Sequence, residues 1–235
     1  MAASSNRNLA QVQRRVAELH HGTDPEQQLC FYDGWAPEYE QDVGVLEYQA
    51  PRLAAACLAS AFQGPLEDAL VLDVACGTGL VAQELQATGF HRFHGLDGSQ
   101  EMLACAGKKG LYQELKRCLL GQEVLPAPEG CYDAVLIVGA LSEGQVPISI
   151  VPELLRVTKP GGYLCLTTRD NQTNLRYKTE LQQLMDELEQ RGLWEKVVVQ
   201  EVEKWERATS GQESTQGLDY ISGVVYLYRK KRRSE

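Results

Sequence analysis

From residue 65 onward, short apolar runs alternate with helical stretches, and this alternation restricts the folds open to a chain of 235 residues. The apolar runs that predict buried strands are residues 69–74, 90–96, 132–138 and 163–167, with 117–120 as a further candidate. The helical stretches between them are residues 80–88, 100–106 and 148–157. Because parallel strands need crossover connections, this order predicts a doubly wound α/β fold, with a mostly parallel sheet and helices on both faces.

The last part of the chain breaks the alternation. Two strand-like runs, residues 196–202 and 220–228, are separated by a polar loop at 207–217 instead of a helix. Neighbouring strands without a crossover helix pair antiparallel. We therefore expect seven strands in all, ending in a C-terminal antiparallel hairpin.

Before residue 65 the pattern is helical. Apolar residues recur at helical spacing from Leu9 to Leu19, Pro25 is typical of the first turn of a second helix, and residues 47–62 predict a third. This pattern predicts an N-terminal helical segment, residues 1–64, and a sheet-containing core, residues 65–235, within one structural domain.

The charge balance argues against general polyanion binding. The net charge is −9 and the pI is about 5.1, whereas phosphate contacts need clustered lysine and arginine. The exception is a run of five basic residues at 229–233. We interpret this run as a solvated tail after the last strand, with a nuclear address or a polyanion contact as the alternative.

The cysteines and the lengths of the apolar runs indicate the cellular compartment of the protein. The 7 cysteines are odd in number, scattered and without a C-x-x-C pair, which favours reduced thiols and gives no zinc-ligand spacing. No apolar run approaches 18 residues, and no apolar stretch follows Arg7, so neither a membrane span nor a secretory signal is expected. We expect a cytoplasmic protein without a metal site, with the nucleus as a second location.

A glycine-rich turn follows the first predicted strand. The segment VLDVACGTGL, residues 71–80, places Asp73 before the turn and Gly77 and Gly79 within it. Glycines allow a ligand to approach the backbone closely, and ligands of open α/β sheets bind at this end of the strands. Asp97 ends the next predicted strand, where a carboxylate can accept hydrogen bonds from ribose hydroxyls.

Two cofactors compete for this turn. A dinucleotide site uses G-x-G-x-x-G, whereas this turn reads A-x-G-x-G, and Asp73 would repel a pyrophosphate at close range. S-adenosylmethionine carries a sulfonium, an ammonium and one carboxylate but no phosphate. An acid at this position therefore favours S-adenosylmethionine.

Four motifs extend the pattern in order along the chain: D-x-x-x-G-x-G at 73–79, L-D-x-S-x-x-M at 96–102, L-P…Y-D-A-V at 125–135, and L-x-x-x-K-P-G-G-x-L at 155–164. On these motifs, residues 71–168 resemble the core of the class I S-adenosylmethionine-dependent methyltransferases, a Rossmann-like family. Residues 32–39, YDGWAPEY, resemble the Y-D-x-W-A-x-x-Y lid of a methyltransferase-like subgroup.

The resemblance implies a set of residues that bind S-adenosylmethionine and its product S-adenosylhomocysteine. Asp73 would orient the amino-acid part, Asp97 would bind the ribose hydroxyls and Met102 would pack on the adenine. Gln122 and Glu123 stand where the family binds the adenine amino group, but the chain reads G-Q-E instead of the usual G-D-A, which leaves the choice between them open. The other implied residues are Trp35, Tyr39, Ala75, Cys76, Gly77, Gly79, Gly98, Ser99, Val138 and Gly139.

No residue has the pattern of a dedicated catalytic group. A sulfonium is a good leaving group, so positioning and desolvation can supply much of the rate enhancement, and a base is needed only for an acceptor that carries a proton. Tyr32 and Tyr39 are candidates for acceptor contacts, and Glu143 is a candidate base. The alternatives are structural packing for the tyrosines and a solvated loop acid for Glu143.

The absence of certain motifs restricts the class of molecule that can accept the methyl group. The fourth strand ends in VGALS instead of the N/D-P-P-Y/F used for planar amino nitrogens, and neither a Pro-Cys pair nor an acid cluster for a catechol-binding magnesium is present. We therefore expect a monomer that methylates a small molecule, without nucleic-acid or membrane partners. The alternatives are a protein or nucleic-acid methyltransferase guided by the basic run, or a cofactor-binding protein with little turnover.

Overall fold

The computed structural model describes residues 8–19, 25–210, 213–214 and 219–232. The α-helices are α1 Leu9–Leu19, α2 Pro25–Trp35, α3 Tyr39–Val45, α4 Ala50–Ala61, α5 Leu80–Thr88, α6 Gln100–Lys108, α7 Val151–Val157 and α8 Leu175–Gln190. The strands are β1 Leu70–Val74, β2 Arg92–Asp97, β3 Tyr112–Arg117, β4 Tyr132–Leu141, β5 Thr158–Arg169, β6 Trp194–Arg207 and β7 Tyr220–Lys230. None of the helices in these ranges is long and apolar enough to cross a membrane.

The seven strands form one sheet in the order β3-β2-β1-β4-β5-β7-β6. The first five strands pair in parallel, and β7 lies antiparallel between β5 and β6. The predicted doubly wound sheet with its C-terminal antiparallel pair is confirmed. The order reverses direction between β1 and β4, so the carboxyl ends of these two strands border the place where such sheets bind ligands.

Both faces of the sheet are buried. In β1, Leu72 and Val74 face a cluster that includes α7 and α8, whereas Val71 faces the cluster formed with α4 and α5. In β4, Val135 and Leu136 divide between the two faces in the same way. This two-sided burial explains why the central strands read as continuous apolar runs.

The prediction for the third strand is wrong. The strand covers Tyr112–Arg117, and the predicted run 117–120 overlaps it by one residue. β3 lies at the edge of the sheet, where its side chains are half-buried or exposed, so its sequence YQELKR carries no apolar run. The Leu119–Leu120 pair belongs instead to the loop that follows.

The predicted helix at 47–62 is also too long at its start. Glu47 adopts φ 55°, a left-handed conformation that no residue inside an α-helix takes, and α4 begins only at Ala50. A separate helix, α3, precedes this break. The conformation is accompanied by contacts with β6 and β7, because the Glu47 carboxylate accepts hydrogen bonds from Arg207 and from the Tyr220 hydroxyl, the latter at 2.7 Å.

The basic run does not start in a solvated tail. Arg229 and Lys230 are the last residues of β7, and the Arg229 guanidinium lies 5.5 Å from the centre of the Tyr163 ring. The Lys230 ammonium donates hydrogen bonds to the carbonyl oxygens of Leu155 at 2.7 Å and Thr158 at 2.8 Å, at the carboxyl end of α7. Arg233 and parts of the predicted loop 207–217 lie outside the described residues.

We expect Lys230→Met to destabilise the protein. The substitution keeps the length of the side chain but leaves the last carbonyls of α7 without their cationic donor, which should lower the free energy of unfolding by about 1–3 kcal/mol. Urea denaturation followed by circular dichroism measures this change. Lys231→Met is the matched control, because Lys231 is exposed and should change stability by less than about 0.5 kcal/mol. Equal effects of the two substitutions would contradict this role for Lys230.

Candidate functional site

The turn after β1 is held in an unusual backbone conformation. Ala75 adopts φ 57° and Gly77 adopts φ 53°, so the chain turns away from the strand within a few residues. A left-handed conformation costs a residue with a Cβ about 1–2 kcal/mol, and such strain tends to mark functional sites. The turn is fixed to β2 because the Cys76 amide donates a 3.0 Å hydrogen bond to the Leu96 carbonyl.

The Asp97 carboxylate joins the ends of β1 and β2. Its Oδ2 accepts a 2.8 Å hydrogen bond from the Gly77 amide, and its Oδ1 accepts a 2.9 Å bond from the Ser99 amide. Burial raises the pKa of Asp97, and hydrogen bonds from the amides of Ser99, Gly77 and Gly98 act in the opposite direction. The side chain remains partly accessible, so it can also accept hydrogen bonds from a ligand.

Asp73 is a fully buried acid below the turn. The Tyr112 hydroxyl donates a 2.7 Å hydrogen bond to Oδ2, while Oδ1 has no hydrogen-bond partner among the described residues. The pKa of Asp73 is raised to about 7, mainly by burial. The hydrogen bond from Tyr112 lowers this pKa, and the negative charge of Asp97 raises it. A buried carboxylate with an unpartnered oxygen is costly unless a ligand completes its contacts.

The N-terminal helices lie across the carboxyl ends of the strands. The Asp33 carboxylate of α2 accepts hydrogen bonds from the Ser99 hydroxyl and, at 3.3 Å, from the Glu101 amide at the start of α6. Gln28 donates to the Gly144 carbonyl, and the Gln145 amide group lies 3.4 Å from the Tyr32 hydroxyl. These contacts attach α2 both to the start of α6 and to the loop after β4.

An aromatic cluster fills the inner side of this segment. Trp35 stacks on Tyr32 at 6.1 Å and meets Tyr39 edge-on at 4.9 Å between ring centroids. The Trp35 indole nitrogen donates a 2.9 Å hydrogen bond to the buried Asp42 carboxylate. Burial raises the pKa of Tyr32 to about 12 and raises that of Tyr39 as well, so both phenols are neutral near pH 7. They can therefore donate hydrogen bonds to a bound molecule.

A main cavity of about 600 Å³ lies between the turn and the N-terminal helices. Eleven of the predicted site residues line it: Tyr32, Tyr39, Ala75, Gly77, Asp97, Gly98, Met102, Gln122, Val138, Gly139 and Glu143. These residues come from the N-terminal helices, the turn after β1, the segment from the end of β2 into α6, the loop after β3, and the end of β4 with the loop that follows it. The Glu143 side chain is exposed. This exposure fits a solvated loop acid, the alternative to a role as catalytic base.

The other predicted site residues do not line the main cavity: Trp35, Asp73, Cys76, Gly79, Ser99 and Glu123. Ser99 caps α6 through a 3.1 Å hydrogen bond from the Met102 amide. The Glu123 carboxylate accepts a 2.8 Å bond from the Leu119 amide within its own loop. Burial raises the pKa of the Cys76 thiol well above its usual value, as do the nearby charges of Asp73 and Asp97, which suits an inert filler.

Several lining residues were not predicted. Gln28 and Leu29 come from α2, Leu119 and Leu120 from the loop after β3, and Tyr177 from α8. Leu119 and Leu120 were assigned to a strand, which hid their position in a loop at the carboxyl edge of the sheet. Tyr177 had no sequence signal, because its place depends on how α8 packs against the sheet.

A second, smaller cavity of about 40 Å³ adjoins the first, and we call it the side cavity. Tyr32, Tyr39, Gly139, Ser142 and Gln145 line both. The side cavity is further lined by Val16, Trp35, Val43, Leu46, Tyr48, Leu141, Thr167, Thr168, Arg169, Trp205 and Glu206. No group of three or more His, Cys, Asp or Glu residues suited to a metal ion occurs in the described part of the chain.

Comparison with known proteins agrees with this geometry. A family model described as a methyltransferase domain matches residues 72–166. Methyltransferase-like protein 27 of Homo sapiens is 57% identical over 204 residues, which cover 87% of this chain and 83% of that protein. A ubiquinone biosynthesis O-methyltransferase of Alkalilimnicola ehrlichii is 32% identical over 108 residues, or 45% of this chain and 43% of that protein.

Among solved structures, a Haloferax volcanii methyltransferase in complex with the Trm112 methyltransferase activator superposes with a TM-score of 0.61. The match covers 87% of this chain and 97% of that one, and at 16% identity it concerns the fold alone. The high identity to a methyltransferase-like protein over most of the chain, together with the sheet order and the matching domain, establishes the family. The chain belongs to the class I S-adenosylmethionine-dependent methyltransferases.

Proposed function

We propose that this protein transfers a methyl group from S-adenosylmethionine to a small molecule held beneath the N-terminal helices. The arrangement of Asp97 carries the proposal, because its carboxylate holds the Gly77 turn open at the carboxyl ends of β1 and β2. When bound there, S-adenosylmethionine supplies an electrophilic methyl group on a sulfonium.

The residues of the site fit this cofactor. The Asp73 oxygen without a partner lies under the turn, where a cationic ammonium would complete its contacts. Asp97 would accept hydrogen bonds from the ribose hydroxyls, and Met102 would pack on the adenine from the wall of the main cavity. Gln122 lines the cavity whereas Glu123 bonds within its loop, so we assign the adenine contact to Gln122.

The chain's own residues would act by positioning and by excluding water. The N-terminal segment, residues 1–64, serves as a lid on the core, residues 65–235, through the contacts of Asp33, Gln28 and Tyr32 described above. Neutral phenols of Tyr32 and Tyr39 would orient the acceptor next to the strand ends. Orientation in a desolvated site can account for a large part of a methyl-transfer rate enhancement without a dedicated base.

A small acceptor suits the covered site. The lid crosses the cavity and contacts the loop after β4, which leaves little room for a folded macromolecule. Arg229 donates a hydrogen bond to a carbonyl of β5 and Lys230 to a carbonyl of α7. These contacts of the first two residues of the basic run favour a structural role over a polyanion arm. A macromolecular methyltransferase and a cofactor-binding protein with little turnover are the alternatives.

We further propose that the protein is a monomer located in the cytoplasm or the nucleus. Gel filtration tests the oligomeric state, and localisation of a tagged protein tests the compartment.

Transfer of a tritiated methyl group into fractionated cell extract tests the proposal. We expect label in the small-molecule fraction with the wild-type protein and none with Asp97→Ala. The substitution removes the acceptor of the Gly77 and ribose hydrogen bonds, which should weaken S-adenosylhomocysteine binding by about 100-fold in calorimetry. NAD is the control ligand and should not bind.

Two neighbouring residues provide the matched control for this experiment. Gln122→Ala should weaken cofactor binding, whereas Glu123→Gln keeps the loop hydrogen bond and should not. Label in protein or nucleic acid alone would support the macromolecular alternative. Tight NAD binding without S-adenosylhomocysteine binding would overturn the proposed cofactor.

Cofactor affinity should depend on pH through Asp73. The ionised carboxylate favours an ammonium, and the pKa of Asp73 is about 7, so affinity should fall by about tenfold per pH unit below that value. Tyr112→Phe removes a hydrogen bond that lowers this pKa and should move the midpoint to higher pH. Calorimetric titration from pH 6 to pH 8, a range of about one unit on each side, measures both effects.

Asp73→Asn separates binding from stability. A carboxyl group whose pKa is higher in the folded state than its ordinary value of 3.8 destabilises the fold increasingly as pH rises from that value through about 7. The neutral amide avoids this cost, so the variant should unfold at a higher temperature than the cofactor-free wild-type protein in alkaline buffer. It should also bind the cofactor weakly at every pH. An unchanged pH profile in Tyr112→Phe would contradict this account of Asp73.

The lid should become more resistant to proteolysis when the site is filled. Residues 25–45 contain no lysine or arginine, so glutamyl endopeptidase, which can cut after the exposed Glu26 and Glu40, is the suitable protease. Saturating S-adenosylhomocysteine should slow these cuts by roughly tenfold or more, because a ligand that binds the closed form suppresses opening. Asp33→Ala should reduce that protection. Equal cleavage rates with and without ligand would argue against a lid.

A further inference from the structure

The end of β4 leaves the regular sheet where it reaches the two cavities. The register between β4 and β5 shifts between Ile137 and Leu141, which marks a bulge in β4. Gly139 lies in this bulge with φ 77°, and its amide donates a 2.9 Å hydrogen bond to the Thr167 hydroxyl. Bulges are common next to active sites, where they redirect the chain. Here the bulge forms the floor that the main cavity and the side cavity share.

The Tyr48 hydroxyl lies directly against this bulge. A Cβ atom at Gly139 would overlap the Tyr48 Oη atom, so only a glycine lets the hydroxyl approach the strand so closely. Tyr48 follows Glu47, whose left-handed conformation is accompanied by hydrogen bonds from Arg207 and Tyr220. Tyr48 lines the side cavity, and its hydroxyl has no hydrogen bond among the described residues.

Two further hydroxyl groups at the side cavity also lack partners. Tyr39 and Ser142 line both cavities, and neither hydroxyl has a hydrogen bond in the described part of the chain. Burial raises the pKa of Tyr39 and of Tyr48, so both phenols are neutral near pH 7. A hydroxyl without a partner in a desolvated place costs free energy, which a bound molecule or a water recovers by completing its hydrogen bonds.

The charged side chains around the two cavities are either paired or exposed, apart from the Asp97 carboxylate assigned to the ribose. In the side cavity, the Arg169 Nε atom lies 3.1 Å from the Glu206 Oε1 atom, so the two opposite charges bind each other. The remaining charged residues of the main cavity are exposed: Glu143, Arg176 and Glu180. A charged group in the side cavity would have to replace its hydration with neutral hydroxyls, which costs more free energy than the transfer of an uncharged group.

The three hydroxyl groups of Tyr39, Tyr48 and Ser142 match the hydrogen-bonding capacity of one further hydroxyl. A hydroxyl donates one hydrogen bond and accepts two, whereas a carbonyl oxygen only accepts and an ammonium only donates. The side cavity of about 40 Å³ has room for one such group, since a water molecule's share of liquid volume is about 30 Å³. Tyr39 and Gly139 border both cavities, so a molecule beside the cofactor can extend that group into the side cavity.

We propose that the side cavity is the subsite for a hydroxyl group of the methyl acceptor, held by Tyr39, Tyr48 and Ser142, so that the substrate class is a small uncharged molecule with a hydroxyl group. This inference rests on the proposed function, because the side cavity adjoins the cavity assigned to the cofactor. Tyr48 determines specificity here, since its hydroxyl takes no part in the proposed cofactor contacts. The atom that receives the methyl group stays in the main cavity. Water is the alternative occupant of the side cavity.

Titration of the wild-type protein saturated with S-adenosylhomocysteine, followed by amide chemical shifts, tests the subsite with four probes of similar shape. Benzyl alcohol carries the hydroxyl, ethylbenzene replaces it with a methyl group, benzylamine with an ammonium and phenylacetate extends it to a carboxylate. We expect benzyl alcohol to bind at least about fivefold more tightly than each of the other three. Because this comparison needs no substitution, it does not depend on a variant that folds.

Tyr48→Phe then locates the effect. The variant keeps the ring and removes the hydroxyl, so it should lose most of the preference for benzyl alcohol over ethylbenzene and keep its affinity for S-adenosylhomocysteine. Tyr228→Phe is the matched control, because Tyr228 is another buried tyrosine of the sheet, stacked on Trp194 and paired with Leu164 near the start of β5. This control should keep both the preference and the affinity.

Equal binding of benzyl alcohol and ethylbenzene would mean that water alone satisfies the three hydroxyl groups. That result, no binding of benzyl alcohol, tighter binding of benzylamine or phenylacetate, or an unchanged preference in Tyr48→Phe would overturn the hydroxyl subsite while leaving the methyltransferase proposal intact. Failure of the wild-type protein to bind S-adenosylhomocysteine would instead refute the proposed function.

Discussion

The hydrogen bond from the Gly77 amide to the Asp97 carboxylate is the interaction on which the site depends. It joins the carboxyl ends of β1 and β2 and keeps the turn between them in a conformation that exposes the backbone to the main cavity. The same carboxylate accepts a hydrogen bond from the Ser99 amide. The Ser99 hydroxyl caps α6 and also donates a hydrogen bond to Asp33 of α2. The turn after β1, the start of α6 and helix α2 are therefore connected through two side chains, those of Asp97 and Ser99.

This arrangement has an energetic cost that the rest of the sheet offsets. Ala75 is held in a left-handed conformation, and Asp73 is buried with one oxygen lacking a partner among the described residues. Both features destabilise the cofactor-free protein. The strands below them are buried on both faces, and this packing keeps the strained turn in place. A ligand that completes the contacts of Asp73 would recover part of that cost, which couples cofactor binding to stability.

Local sequence signals located the central elements well. Ser99 before residue 100 indicated the start of α6, and the structure has the cap that this residue type favours. The central strands were recognised because both of their faces are apolar. β3 escaped recognition because an edge strand has half-exposed side chains, and the helix at 47–62 was drawn too long because Glu47 adopts its left-handed conformation where it contacts the distant residues Arg207 and Tyr220.

The sequence by itself determined the α/β sheet and the acid-and-glycine turn, since periodicity and turn chemistry are properties of neighbouring residues. The resemblance to a known family added most of the eleven predicted residues that line the main cavity. Only the tertiary structure decided which groups meet across long stretches of chain. Asp33 reaches Ser99 because α2 packs over the strand ends. Arg169 reaches Glu206 because Gly223 lets Trp205 lie against the strand between them. Such contacts depend on how packed elements approach one another, and no local pattern records that approach. The turn after β1 and Asp97, by contrast, stand at the ends of successive strands, where a local pattern can locate them.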